Sequence, residues 1–256
     1  MQTSRAIEIG EHEIHVWWAG TNPSPSPEAA QRLHRILDAK ERERSSRFFF
    51  EKDQTLYVCA HSLLRIMCTR YLGGPESAWR FETEPNGRPH IVEDGRALVD
   101  FNLSHTEGIV ACGFTRSGRI GVDVESVCRK TDWKEVMKRV LSHEEQKSLI
   151  VLPPEEGRER FFEYWTVKEA IAKAWGIGVG VDFRKIEIDL GDRQPRLVRS
   201  PDGTAKPSLL HLTSLAHHRL AVAFTKMSDG TSCTPHKELV LMIRQFPESW
   251  DVVKPE

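Results

Sequence analysis

The chain has no run of about 20 apolar residues, so no segment of it is long enough to cross a bilayer as a helix. The opening stretch, Met1 to Glu13, lacks the apolar core of a secretion signal, and the chain is expected to be cytoplasmic. No Cys-x-x-Cys pair occurs. The cysteines Cys59, Cys68, Cys112, Cys128 and Cys233 are odd in number and three have apolar neighbours. That pattern predicts free, buried thiols in a reducing compartment, not a disulfide frame or a zinc cage. Neither charge sign is in excess: 36 Lys and Arg stand against 37 Asp and Glu. The electrostatics give no general pull towards nucleic acid or an anionic membrane. There is no Gly-x-x-x-x-Gly-Lys-Ser/Thr segment, which argues against a P-loop nucleotidase. Gly176 to Gly180 follows a helical pattern instead of opening one, so it reads as a helix stop.

What is present is a globular composition, 39% hydrophobic and 29% charged over 256 residues, enough for one large domain or two small ones. Glu13 to Trp18 reads as a strand. A Pro- and Ser-rich loop leads to a helix with Leu33, Ile36 and Leu37 inward, then to the mixed charge run Lys40 to Arg44. Asp53 is expected to cap a helix through Leu64 and Arg65, stopped at Gly73. Short strands are predicted at Trp79 to Thr83, Val99 to Leu103 and Gly108 to Phe114. Next come a strand over Arg119 to Glu125 and helices over Trp133 to Val140 and Ser142 to Ile150, the last with a capping box at Ser142 and Glu145. Pro153 and Pro154 precede a helix over Arg160 to Trp175. Strands follow at Phe183 to Leu190, Leu209 to Leu215 and Leu220 to Phe224. Helices segregated from strands, without βαβ alternation, predict an α+β fold. Similar element orders on either side of residue 118 suggest two related halves, 1–118 and 119–226. Residues 227–256 form an extension of unspecified packing, with a linker at Ser228 to Pro235.

Two segments carry the chemistry. Side chains alternate along a strand, so Asp123 and Glu125 share one face and Ile120, Val122 and Val124 the other. Glycine and branched apolar residues make that strand read as central. On the helix over Arg160 to Trp175, Phe161, Tyr164, Trp165, Lys168, Ile171, Ala172 and Trp175 form one broad face, with Glu169 near Trp165 and Lys173 one turn on. Glu169 and Lys173 could be no more than a helix-surface ion pair. If Glu169 instead approaches Asp123 and Glu125, three carboxylates converge, and Mg²⁺ is the natural counter-ion for an all-oxygen set. Such a site suggests phosphoryl or pyrophosphate chemistry. Lys168 and Lys173 would neutralise phosphate or protonate a leaving oxygen, and Arg88 and His105 would bind further phosphates.

Four segments in this order, Asn86-Gly87-Arg88-Pro89, Phe101-Asn102-Leu103-Ser104-His105, Ile120-Gly121-Val122-Asp123-Val124-Glu125 and Trp165-Thr166-Val167-Lys168-Glu169-Ala170 with Lys173, resemble the Sfp-type 4′-phosphopantetheinyl transferases. Arg47-Phe48, Asp53 and Leu63-Leu64-Arg65 extend the resemblance, which covers residues 12 to 226. It implies a pseudo-dimer of two α+β halves, each an antiparallel sheet packed with helices, with the active site at their seam. It implies transfer of the phosphopantetheine arm of coenzyme A to a serine of an apo acyl, peptidyl or aryl carrier protein, with release of adenosine 3′,5′-bisphosphate. Carried over, Asp123, Glu125 and Glu169 resemble Mg²⁺ ligands. Glu169 also resembles the base, and Lys173 the group assisting the departing phosphate. Arg44, Arg88, Ser104, His105 and Lys168 resemble coenzyme A contacts. The chain is expected to act as a monomer, without nucleic acid or membrane. Two other readings use the same residues: a Mg²⁺-dependent phosphohydrolase acting on a pyrophosphate-containing nucleotide, and a non-catalytic partner-binding protein.

Overall fold

The structure, a computed structural model, describes residues 7–92, 99–177, 180–191, 194–226, 238–246 and 250. The chain divides into two compact units. The first holds residues 1–84, 89–117 and 236–256; the second holds 85–88 and 118–235.

The first unit opens with strand β1 (Glu13–Gly20), then helices α1 (Pro27–Ile36), α2 (Ala39–Ser45) and α3 (Glu51–Leu72). Local chemistry sets these helices. Ser26 Oγ accepts the Ala29 N–H ahead of α1, and Pro27 supplies a preset φ at its first turn. Asp38 and Glu41 form a reciprocal capping box on α2. α3 starts earlier than the sequence predicts. Its cap is Phe50, without a side-chain hydrogen bond, and Asp53 lies inside the first turn, where its charge favours the helix N-terminus. Gly73, at φ 76°, ends it. A 3-10 turn (Glu76–Ala78) follows, then the small hairpin of β2 (Phe81–Thr83) and β3 (Pro89–Ile91), and the larger hairpin of β4 (Asp100–Thr106) and β5 (Ile109–Thr115).

The second unit repeats this order. Strand β6 (Gly118–Ser126) is followed by α4 (Trp133–Val140), α5 (His143–Ile150) and α6 (Pro154–Trp175). Then come a 3-10 turn (Phe183–Lys185), the small hairpin of β7 (Glu187–Asp189) and β8 (Arg196–Arg199), and the larger hairpin of β9 (Leu209–Leu215) and β10 (His218–Lys226). The predicted strand over Phe183 to Leu190 is thus half a 3-10 turn, and β8 carries no alternation that announces it. In each unit the last strand of the large hairpin pairs antiparallel with the opening strand, β5 with β1 and β10 with β6. A final strand, β11 (Val240–Gln245), adds to β1 in parallel and gives the order β11-β1-β5-β4, against β6-β10-β9 in the second unit.

One expectation changes here, and one open point is settled. β6 is an edge strand of its sheet, and β10 is the central one. Its branched residues reflect burial: Ile120, Val122 and Val124 are at most 1% exposed. Residues 236–256 of the C-terminal extension belong to the first unit. β11 covers the β1 edge, and Phe246 and Trp250 are buried in that unit's core, with the Trp250 indole N–H donating to Gly20 O at 2.6 Å. The linker expected at Ser228 to Pro235 lies outside the described residues. Cys59, Cys68 and Cys112 are buried free thiols and Cys128 is exposed. Burial pushes the Cys59 thiol up to about 12, so it stays protonated and inert. Among the described residues no helix is long and apolar enough to cross a membrane.

Candidate active site

In the second unit α6 lies on β6 with no room between them at Gly121. A Cβ there would sit 1.9 Å from Ala170 O and 2.5 Å from Ala174 N. Only glycine permits that approach. The same parity along β6 carries Asp123 and Glu125, so both carboxylates are presented to the helix from a strand on which they are 5% and 8% exposed. Opposite them α6 offers Lys173 and Trp165. Lys173 Nζ donates to Asp123 Oδ1 at 2.7 Å and to Val122 O at 3.1 Å. The Trp165 indole N–H donates to Glu125 Oε1 at 3.1 Å, and Arg129 Nη1 reaches both oxygens of Glu125 at 3.3 Å. Trp165 and Arg129 were not assigned roles from sequence. Trp165 shares a helical face with Glu169, which was a usable signal; nothing in the pattern singled out Arg129.

Glu169 joins this group electrostatically. Its acidity is weakened by burial and then by the negative charge of Asp123, with Lys173 acting in the opposite direction. Glu125 is likewise raised, by burial first and by Asp123 second, against Arg129 and Lys173. One carboxylate therefore opposes ionisation of two others, one from its own strand and one from the helix. Among the described residues no three acidic, histidine or cysteine side chains form a closed cluster around one point. The Lys173 ammonium meets Asp123 instead. The chemistry of the set nevertheless fits a hard cation: carboxylate oxygens from Asp123, Glu125 and Glu169 whose charges repel one another, without a histidine or thiol among them.

Arg88 and Lys168, both expected at phosphate, are held by partners within the protein. Arg88 is 6% exposed, and its guanidinium donates to Lys173 O at 2.6 Å and Ile120 O at 2.8 Å. It pins α6 to β6 at the level of Lys173. Lys168 is fully buried. Its ammonium donates to Glu145 Oε2 at 2.5 Å, Val140 O at 3.0 Å and Phe183 O at 3.1 Å. Burial lowers its pKa, and Glu145 acts against that. The physical reason is helical geometry: Lys168 shares the core face of Phe161, Tyr164 and Ile171, whereas Lys173 points to β6.

The remaining expected residues, Arg44, Ser104 and His105, lie in the first unit. Arg44 is exposed on α2 with its guanidinium 5.7 Å from the centre of the Tyr57 ring. Ser104 is buried and His105 exposed on β4.

Asp123 and Glu125 on β6, with Glu169 and Lys173 on α6, are the kinds of group that phosphoryl-transfer chemistry uses. Comparison with known proteins gives the family. Residues 119–225 match the 4′-phosphopantetheinyl transferase superfamily, and residues 21–113 match the 4′-phosphopantetheinyl transferase N-terminal family. The chain is 32% identical to the 4′-phosphopantetheinyl transferase HetI of Nostoc sp. over 188 residues, 72% of this chain and 76% of that protein. It is 28% identical to the 4′-phosphopantetheinyl transferase Sfp of Bacillus subtilis over 179 residues, 69% of this chain and 77% of that protein. A crystal structure of a holo-(acyl-carrier-protein) synthase from Bacillus anthracis matches 44% of this chain and 98% of its own at 26% identity and a TM-score of 0.38. The chain belongs to the 4′-phosphopantetheinyl transferase superfamily.

Proposed function

We propose that this transferase moves the 4′-phosphopantetheine arm of coenzyme A to a serine hydroxyl of an acyl, peptidyl or aryl carrier protein, with Mg²⁺, and releases adenosine 3′,5′-bisphosphate. The observation that carries the reading is the meeting of Asp123 and Glu125 on β6 with Lys173 on α6, and the reach of Asp123's charge to Glu169. Asp123, Glu125 and Glu169 would hold the cation. When bound, it supplies positive charge to the pyrophosphate oxygens under attack.

The chain's own groups do the rest. The serine hydroxyl is a weak nucleophile until its proton is removed. Glu169, on α6 within reach of the Asp123 charge, is the carboxylate that accepts that proton. The serine oxygen then bonds to the phosphorus that carries pantetheine, and the bond from that phosphorus to the bridging oxygen breaks. Lys173, on the same rigid helix one turn from Glu169, stabilises the charge left on the departing phosphate. Trp165 and Arg129 orient Glu125, and Arg88 fixes the backbone of Lys173. Incubation with coenzyme A, Mg²⁺ and an apo carrier tests the reading: the carrier gains the mass of phosphopantetheine, and no gain on any carrier class would refute it.

A further inference from the structure

The two units carry the same buried clasp. Helices α3 and α6 are each 22 residues long, and Arg65 and Lys168 each stand fifteenth in theirs. Both side chains are 0% exposed. Each reaches the capping-box glutamate of a short preceding helix. Arg65 Nε donates to Glu41 Oε2 at 2.7 Å in the box of α2, and Lys168 Nζ to Glu145 Oε2 at 2.5 Å in the box of α5. Each also binds the backbone at the following 3-10 turn: Arg65 donates to Glu76 O at 2.9 Å and Lys168 to Phe183 O at 3.1 Å. Helix position, capping-box partner and one backbone acceptor therefore coincide, although one cation is arginine, bonded also to Asp38 at 2.8 Å and Trp79 O at 3.0 Å, and the other is lysine, bonded also to Val140 O at 3.0 Å.

The second clasp has the additional feature of sitting next to the chemistry. Lys168 precedes Glu169 in α6. Glu145 receives more than the ammonium: its Oε2 accepts the Ser142 N–H at 2.7 Å and its Oε1 accepts the Ile188 N–H at 2.9 Å. One carboxylate thus ties α5, α6 and β7 together. Rotation or sliding of α6 would break these bonds, and it would carry Glu169 and Lys173 away from Asp123. A buried ion pair is a poor source of net stability, because desolvation offsets most of the attraction. Its directional bonds fix register instead.

We propose that Lys168 and Glu145 are positioning residues: the pair sets the rotation and height of α6, and so the placement of Glu169 and Lys173 over β6. The inference deepens the transferase reading and rests on it for the activity arm of its test. The variants are Lys168→Met with Glu145→Gln, which removes the pair without leaving a lone buried charge, and Arg65→Met with Glu41→Gln, the matching change in the first unit. With the α6 pair removed, kcat is expected to fall about a hundredfold, as for a misplacement near 1 Å, while KM for coenzyme A changes by less than about threefold. The α3 variant is expected to keep kcat within about threefold even where its thermal midpoint drops as far. Equal losses of kcat in both variants, or a kcat near that of the unaltered chain once Lys168 and Glu145 are neutral, would overturn the proposal. Hydrogen exchange over Glu169 to Lys173 reads the clasp without any turnover. It must quicken about tenfold in the α6 variant and stay unchanged in the α3 variant, and the reverse pattern refutes positioning. Failure of the unaltered chain to modify any carrier would instead count against the transferase reading, with the exchange result still deciding the clasp.

Discussion

Gly121 on β6 faces the Ala170 carbonyl of α6 so closely that a methyl group could not fit between them. The contact is backbone against Cα, so neither side can yield by turning a side chain. Gly121→Ala is therefore expected to push α6 outward. Overpacking of this kind costs about 1–3 kcal/mol or more. The shift also parts Lys173 from Asp123, so transfer should drop much further than stability does. Urea unfolding and turnover measured on one preparation check both, and an unchanged midpoint would contradict the packing account.

Glu169→Gln keeps the shape of the side chain and removes the base that the transfer reading assigns. Transfer is expected to fall by about 10²–10⁴-fold, the usual range for losing a positioned proton acceptor. Coenzyme A binding, measured by calorimetry, should largely survive. Near-normal turnover would remove Glu169 from the mechanism.

Chelation is expected to stop transfer, and Mg²⁺ to restore it, because the acid set has only oxygen donors to offer. Asp123→Asn should lose the response to added Mg²⁺. Activity that persists in excess chelator would show that Lys173 and Arg129 suffice as the counter-charges of Asp123 and Glu125.

The first unit's clasp should appear in the acid limb of stability. Burial alone would raise the pKa of Glu41, but His61 and Arg65 outweigh it and the net shift is downward from 4.5. A carboxylate depressed in the folded state stabilises the fold above its ordinary pKa, and that contribution is lost as pH falls through the folded value. Glu41→Gln should therefore flatten the fall in urea midpoint between pH 5 and the acid transition. Parallel curves for both proteins would exclude Glu41 as a contributor.

Trp250→Ala should cost about 3–5 kcal/mol, the range for deleting a buried aromatic side chain. The residue lies far beyond the matched family segments, yet its ring is buried and its indole N–H is bonded to Gly20 O. A thermal midpoint within a degree or two of the unaltered chain would show that the C-terminal segment is not part of the first unit's core.

Asp123 and Glu125 were legible because strand periodicity puts alternate residues on one face and the structure keeps that parity. Glu145 was legible as a capping residue because Ser142 stands three places before it. Lys168 is read at phosphate because a lysine beside a candidate base invites that role, and the structure buries it against Glu145. Its five-residue offset from Lys173 turns it by roughly 140° about the helix, onto the core face. The signal was present in Phe161, Tyr164 and Ile171, which share that face. The pairing of β11 was not legible at all. β11 pairs with β1, more than 200 residues away, and local pattern says nothing about such a partner. The edge position of β6 was hidden for the same reason, since burial and centrality leave one signature in a strand.

The most direct measurement is intact mass of an apo carrier protein after incubation with coenzyme A and Mg²⁺, run side by side with the unaltered chain and with Glu169→Gln. The account predicts that the carrier gains one phosphopantetheine arm with the unaltered chain and remains apo with the variant. Adenosine 3′,5′-bisphosphate accumulating without any change in carrier mass would contradict it and identify water, not serine, as the nucleophile.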